Sequence, residues 1–373
     1  THNNKLSKFQ LNFMKTSVKL ALLFALVTFA AALYEDCPGK INEKALITAQ
    51  PEQLASVKNG KKFIIRDPAN PLLMHIKVAV LKGSAYEMGY AMGEMFKSEV
   101  HTVVNGVKEF INIGEEYWVH TIPKWMENWE HLSVKEKLWL GLDYEITATA
   151  HYTPQRFFDE LKGISDASGV DYDLLLKINL FPELCRAVCS IVGAYGKATP
   201  DGNLLQLRAL DYFAQSPFNN EATMVIYHPS EKGSQHFANI GWPGMIGTLA
   251  AYNGNVGIGE RLWDYDLDSI SSIFGEPWMF VIRDVVQFST NITEAIDYLQ
   301  DANRTYSIRL GAGSKVDNQF RGFEYTYSYL KTFTDKNSSS PHFDDIVYWY
   351  KDGDTKCFAE VFEANYGNIT AET

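Results

Sequence analysis

The stretch from Ala187 to Tyr212, AVCSIVGAYGKATPDGNLLQLRALDY, concentrates the residue types best suited to covalent chemistry in this 373-residue chain. It sets Cys189 at the start of an expected strand and turns at Pro200-Asp201-Gly202. It then returns along a second strand that ends Arg208-Ala-Leu-Asp211. In such a hairpin the outward and return legs nearly cancel, so Arg208 and Asp211 come back beside Cys189. A thiol next to a guanidinium ionises more readily and becomes a usable nucleophile. The same residues also read as a buried cysteine with a surface Arg–Asp pair. On a strand, positions 208 and 211 face opposite sides unless the strand ends or bulges between them. Other chemistries are missing from the chain. GxSxG, HExxH, a Walker loop and GxGxxG do not occur, and Gly254 to Gly259 has the wrong glycine spacing for a dinucleotide loop. The nine His are scattered without metal-ligand pairing, so neither a metal nor a cofactor is expected.

The elements that must position this hairpin divide at Cys189. Before it the pattern is mostly helical. Ser84 is an N-cap for an apolar-periodic run from Ala85 to Ile111, where Gly83, Gly89 and Gly93 leave small surfaces for close packing. Further helices fit 134–148, 154–168 and 172–181. After Cys189, short strands fit 191–195, 204–210, 224–228, 237–240, 248–252 and 256–259. Helices at 277–288 and 293–302 follow, then strands at 306–310, 323–327, 346–350 and 358–362. That order of helices, strands, helices and strands implies an α+β fold with mainly antiparallel sheets. No linker or repeat is visible, so one compact unit is expected. Trp118, Trp125, Trp129 and Trp139 cluster between Tyr117 and Leu142, a stretch that fits core, a lid over an acyl chain, or a lipid-facing patch.

Composition narrows the setting. The net charge of −11 lacks the concentrated positive charge that nucleic-acid binding needs, so no nucleic-acid partner is expected. Met14, Lys15 and Lys19 lead into a 14-residue apolar run, Leu20 to Leu33, too short for a membrane span and shaped like a signal peptide. Residues 1–32 are therefore read as upstream sequence plus signal peptide, with cleavage after Ala32. Sequons at Asn291, Asn303, Asn337 and Asn368 agree with a secretory route, to a lysosomal or phagosomal lumen or to the outside. Four cysteines are too few for a disulfide scaffold. Cys37 and Cys357 could bridge the two ends of the mature chain in an oxidising lumen, or stand as two buried thiols.

The segment around Cys189 resembles the cysteine N-terminal-nucleophile hydrolases of linear amides. That group includes the acid ceramidase, N-acylethanolamine acid amidase, bile salt hydrolase and isopenicillin N acyltransferase families, and the likeness is greatest to acid ceramidase-like proteins. The matching residues are Cys189-Ser190, the turn from Gly193 to Gly202, and Arg208-Ala-Leu-Asp211. Gly83 to Gly93, Asn253 to Gly259 with Glu260-Arg261, and Phe280 to Asp284 also match. The resemblance implies an αββα sandwich with an added helical N-terminal region, made as a precursor that cuts itself at Val188–Cys189. Residues 33–188 would form a mostly helical α chain, and 189–373 a β chain carrying the nucleophile. It further implies that Cys189 attacks a linear amide of an N-acyl, in particular fatty-acyl, substrate; the Trp-rich stretch from Tyr117 to Leu142 adds a transient lipid-surface contact as one reading. Asp211 would orient the new α-amine and Arg208 would steady the site charge. An oxyanion donor is implied at Asn253, with a second position at Ser314 or Asn318, and Glu260 has a structural reading. The resemblance also implies a Cys37–Cys357 bridge between the two chains. Acyl transfer to an amine, a phospholipase B-like hydrolase, and an inactive lipid-binding relative are the competing functions.

Overall fold

Ser84 starts the first helix as its sequence suggests. Its side chain accepts from the Glu87 N–H while Glu87 reaches back to the Ser84 N–H, a reciprocal cap that satisfies two orphan donors. The computed structural model describes residues 50–66, 75–113, 126, 129–184, 188–211, 217–219, 221–262, 272–337 and 345–349. The expected signal segment, Cys37, Cys185, Cys357, Asn368, Trp118, Trp125 and the strand at 358–362 lie outside them. All the described residues fall within one compact unit, 46–352.

Three strands open the described chain: β1 (Glu52–Val57), β2 (Gly60–Ile65) and β3 (Ile76–Gly83). Sequence reading gave this part as mostly helical and marked no strand in it. Its strands are short, and two of them are rich in lysine, so their apolar alternation is weak. Helices α1 (Ala85–Met95), α2 (Lys97–Ile113), α3 (Val134–Thr149), α4 (Gln155–Ser168) and α5 (Tyr172–Leu184) follow. The single helix expected over 85–111 is thus two, broken at Phe96, whose side chain is fully buried. Next come β4 (Val188–Ala194), β5 (Leu205–Asp211), β6 (Thr223–Pro229), β7 (Phe237–Gly241), β8 (Ala250–Asn253) and β9 (Val256–Leu262). Helices α6 (Trp278–Phe288) and α7 (Ile292–Asp301) precede β10 (Ser307–Ser314), β11 (Gln319–Thr326), β12 (Leu330–Phe333) and β13 (Ile346–Trp349).

The strands form two sheets. One has ten strands in the order β1-β2-β3-β6-β7-β8-β9-β10-β11-β12, antiparallel except where β3 pairs β6; the other has three, β13-β4-β5. Side chains alternate across the large sheet to two separate cores. Ile258, Ile308, Leu310, Phe323 and Tyr325 join the helices in the main core. On the other face, Phe320 packs with Ile191 and Val347 of the small sheet and with Tyr195, which follows β4. The result is the expected α+β class: helices, a large sheet, and a small sheet laid over part of it.

Besides the β3–β6 pairing, buried ionic and polar contacts join the segment before Cys189 to the segment after it. In the ionic contacts, Glu160 pairs with Arg283 at 2.6 Å and Arg156 pairs with Asp284, and all but Arg156 are nearly sealed from solvent. In the polar contacts, the Glu183 carboxylate accepts from the Trp278 N–H at 2.7 Å and the Thr305 hydroxyl at 3.1 Å. Within the first segment, α1 and α4 touch backbone to backbone. A Cβ on Gly89 would stand 2.0 Å from the Glu160 carbonyl oxygen, and one on Gly163 would stand 2.3 Å from that of Tyr86. The expected close packing at Gly89 and Gly93 is therefore present, with Gly163 supplying the other side.

Candidate active site

The β4–β5 hairpin runs in unbroken antiparallel register from Val188↔Asp211 to Ala194↔Leu205. Cys189 faces Leu210 and Ile191 faces Arg208, so Cys189 and Arg208 are diagonal neighbours on one face, within reach of a long side chain. That face looks onto the large sheet. Arg208 lies over Gly259 of β9, where a Cβ would meet its Cγ at 3.1 Å. Its guanidinium Nη2 then stands 3.1 Å from the Cys189 Sγ.

The large sheet supplies two more residues. Glu260 accepts from Arg208 Nη2, and its Oε1 is 3.7 Å from the Cys189 Sγ. Arg208 Nε also donates to the Glu260 carbonyl at 3.3 Å, so both ends of Glu260 hold one guanidinium. Arg261 Nε donates to the Cys189 carbonyl at 2.9 Å, fixing the nucleophile's backbone as well. Cys189 and Arg261 are fully buried and Glu260 is nearly so. Burial works against the Arg208 charge, but the facing Cys189 and Glu260 outweigh it and push its pKa up. Burial likewise pushes the Glu260 carboxyl up, against the downward pull of Arg208. Arg208 therefore stays a cation in a site with little water, where a charge partner for a thiolate counts for most. Glu260 Oε2 has no hydrogen-bond partner among the described residues. It is a buried acceptor left open beside the thiol.

The other expected site residues divide. Asp211 is the last residue of β5, and its backbone is paired with Val188, the residue before the expected cut. Asn253 is committed elsewhere. Its amide nitrogen donates to the Val286 and Ser289 carbonyls, and its Oδ1 accepts from the Asn255 and Val256 N–H groups. All four hydrogen-bonding positions of an amide are then used. It ties the β8–β9 turn to the end of α6. Val256 is four residues from Glu260 along β9, which puts that turn about 14 Å or more from the site. Ser314 pairs with Val256 at the same remote end, and its hydroxyl accepts from the Asp317 N–H. Asn318 donates to the Gly202 carbonyl from a left-handed backbone conformation. The structure thus brings Cys189 and Arg208 together and leaves Asn253 and Ser314 apart from them.

Glu260 is the residue that sequence reading undervalued. It follows a glycine-rich strand and precedes an arginine, but no local pattern ties it to a cysteine 71 positions earlier. Among the described residues, no group of three His, Cys, Asp or Glu could hold a metal ion, and no helix is long and apolar enough to cross a membrane. Asn303 and Asn337 are exposed, whereas the Asn291 side chain caps α7 by accepting from the Glu294 N–H. Trp129 and Trp139 pack against the main core, and Trp139 donates to Asn112.

No family model matches the chain. Protein dcd1A of Dictyostelium discoideum is 34% identical over 359 residues, spanning 90% of this chain and 79% of its own length. Protein dcd1B of the same organism is 33% identical over 347 residues, spanning 88% of this chain and 67% of its own. Among solved structures, an N-acylethanolamine-hydrolyzing acid amidase ortholog of Caenorhabditis elegans aligns with a TM-score of 0.35 and 16% identity. That alignment covers 45% of this chain and 72% of that one. On a third of positions identical across nine-tenths of its length, the chain belongs to the family of the Dictyostelium dcd1 proteins.

Proposed function

We propose that this protein is a cysteine amidohydrolase that cuts linear N-acyl amides after freeing Cys189 as a new amino terminus. The observation that carries the reading is the Arg208 guanidinium held 3.1 Å from the Cys189 Sγ and anchored by buried Glu260. A structural cysteine has no use for a desolvated, doubly held cation. A nucleophile does, because the guanidinium stabilises the negative charge that develops on sulfur and on the attacked carbonyl.

Maturation would begin with attack of the Cys189 sulfur on the Val188 carbonyl carbon. The C–N bond breaks as the C–S bond forms, the nitrogen takes the thiol proton, and water then hydrolyses the thioester. The products are a Val188 carboxylate and a Cys189 with a free thiol and α-amine. Such an amine has an ordinary pKa of about 8, suited to acting as general base. It would take the thiol proton as sulfur attacks the substrate amide and hand it to the departing amine. Water releases the acyl group from the thioester. The hairpin register sets Asp211 across from the cut, where it would orient that amine. The two segments would remain associated through the Glu160–Arg283, Arg156–Asp284 and Glu183 contacts. A fatty-acyl substrate and an acidic lumen are the setting we assign, from the resemblance of the Cys189 segment and the sequons.

Incubating the secreted protein at acid pH and reading new amino termini by mass spectrometry tests this. A fragment beginning at Cys189 is expected, and none from Cys189→Ala. Normal two-chain processing of Cys189→Ala, or amidase activity surviving in it, would overturn the proposal.

A further inference from the structure

A cut at Val188–Cys189 removes the bond that holds the nucleophile's nitrogen. In the uncut chain Cys189 is an interior residue of β4, held by its chain neighbours and paired with Leu210. After the cut it is the first residue of a strand, and chain ends fray unless something ties them down. This end has little room to wander. One residue carries both the attacking sulfur and the amine that takes its proton, so both must stay aligned on the substrate.

The large sheet holds that residue at two points, from adjacent positions of one strand. Glu260 of β9 anchors Arg208, whose Nη2 stands 3.1 Å from the Cys189 Sγ. Arg261 of β9 donates from Nε to the Cys189 carbonyl at 2.9 Å. β9 lies inside the sheet, paired with β8 on one side and β10 on the other, so both holds rest on a strand that is itself fixed. Arg261 is fully buried, where a hydrogen bond is electrostatically stronger than at the surface.

Covalent geometry makes a third hold out of these two. The Cys189 Cα carries its carbonyl carbon, Cβ and nitrogen in one fixed, L-handed tetrahedron. Arg261 fixes the carbonyl, and Arg208 fixes the sulfur and with it the direction of Cβ. The nitrogen then has one place left, about 3–4 Å from the sulfur in any staggered rotamer, whether or not Val188 is attached. With the carbonyl released, rotation about the Cys189 Cα–C bond would swing sulfur and nitrogen together off the substrate.

We propose that Arg261 is a positioning residue of the cut enzyme, which through the Cys189 carbonyl replaces the constraint that the Val188–Cys189 bond supplied before cleavage. The inference rests on the reading of Cys189 as the freed nucleophile of an amidase and adds what keeps that new terminus in place. It predicts that Arg261 matters more for turnover than for the cut itself, because the uncut chain still has Val188.

The test uses the full chain incubated at acid pH, as wild type and as Arg261→Gln, Arg261→Lys and Arg261→Met. The Gln amide nitrogen follows Cδ as Nε does in Arg, so an N–H stands at the same place without the charge. Lys keeps the charge but has a methylene there, and Met keeps only the bulk. Melting curves confirm folding, and Gln against Lys carries the comparison if Met does not fold. Appearance of the Cys189 fragment gives the rate of self-cleavage. Hydrolysis of the octanoyl amide of 7-amino-4-methylcoumarin gives turnover per cut molecule. Removal of Cys189 by leucine aminopeptidase, read by mass spectrometry, gives the looseness of the terminus without catalysis. Loss of one buried bond from a charged donor corresponds to about tenfold to a hundredfold. Turnover relative to self-cleavage is expected to fall by that factor in Lys and Met, with Cys189 trimmed at least tenfold faster. Gln is expected to recover most of both losses.

Recovery by Lys equal to that by Gln would overturn the proposal, since charge rather than the carbonyl bond would be at work. Turnover and self-cleavage falling by one factor in all three variants would overturn it too, leaving Arg261 a tie between sheets. So would trimming of Cys189 at the wild-type rate in Lys and Met. If trimming follows the expected order but wild type leaves the amide intact, the hold stands and the amidase reading falls. No cut at Cys189 in wild type overturns both.

Discussion

Replacing Glu183 by Gln isolates a proton that the fold is built to keep. Glu183 is buried on α5, accepting from the Trp278 N–H and the Thr305 hydroxyl across the two segments. Burial pushes its carboxyl from an ordinary 4.5 up to about 8, despite those two hydrogen bonds favouring the ionised form. Glu145 of α3, with neither carboxylate oxygen hydrogen-bonded among the described residues, is also pushed up by burial and by Glu183. Between pH 4.5 and about 8 the unfolded chain has released the Glu183 proton while the folded chain still holds it. Stability is therefore fully present below the unfolded value and falls as pH rises toward 8. One such proton over that interval corresponds to about 5 kcal/mol. Between pH 5 and pH 8 about 3.5 kcal/mol of this is lost, so at roughly 2 °C per kcal/mol for a domain of this size Tm should drop by about 7 °C through this group alone. Gln keeps the acceptor oxygen for Trp278 and Thr305 but has no proton to lose. Calorimetry in the Cys189→Ala background, where self-cleavage cannot intervene, should show a shallower fall of Tm with pH for Glu183→Gln. A Tm equal or higher at pH 8 than at pH 5 in the parent, or an unchanged slope in the variant, would refute the reasoning.

Three further outcomes follow from the geometry. Arg208→Lys keeps a charge but cannot hold the thiol and both ends of Glu260 together. Turnover of an N-acyl amide should fall at least a hundredfold, and near-normal turnover would remove Arg208 from the site. Gly259→Ala places a Cβ 3.1 Å from the Arg208 Cγ. A lowered kcat with little change in Tm is expected, and an unchanged kcat would show that Arg208 can shift freely. Gly89→Ala sets a methyl 2.0 Å from the Glu160 carbonyl oxygen at the α1–α4 crossing. A loss of about 1–3 kcal/mol in urea unfolding is expected, and a neutral result would mean the two helices can separate at little cost.

The lesson of the glycines is that local composition carries packing. Gly89 and Gly93 were legible as a small-surface stripe because helical spacing alone brings them to one face, and Gly163 across the crossing answers them. Glu183 and Glu145 were not legible, since their burial depends on how α3 meets α5 and how α5 meets Thr305 and the start of α6. Phe96 lies inside a periodic apolar run, with no Gly or Pro at that position to mark the break between α1 and α2.

The sequence by itself determined the part of the site that lies within one hairpin. Cys189 and Arg208 meet because two strands of one hairpin pair antiparallel and a side-chain period of two sets which residues share a face, both being short-range properties. The change from helices to strands near Cys189, and the α+β class, were readable for the same reason. Only the tertiary structure decided that Glu260 and Arg261 close around Cys189 and that β1 to β3 extend the large sheet. It also decided that Asn253 spends its amide on the β8–β9 turn and the end of α6. Each of these depends on which strand lies beside or over which. Strand order is settled by the sum of long-range packing, and no stretch of local sequence encodes it.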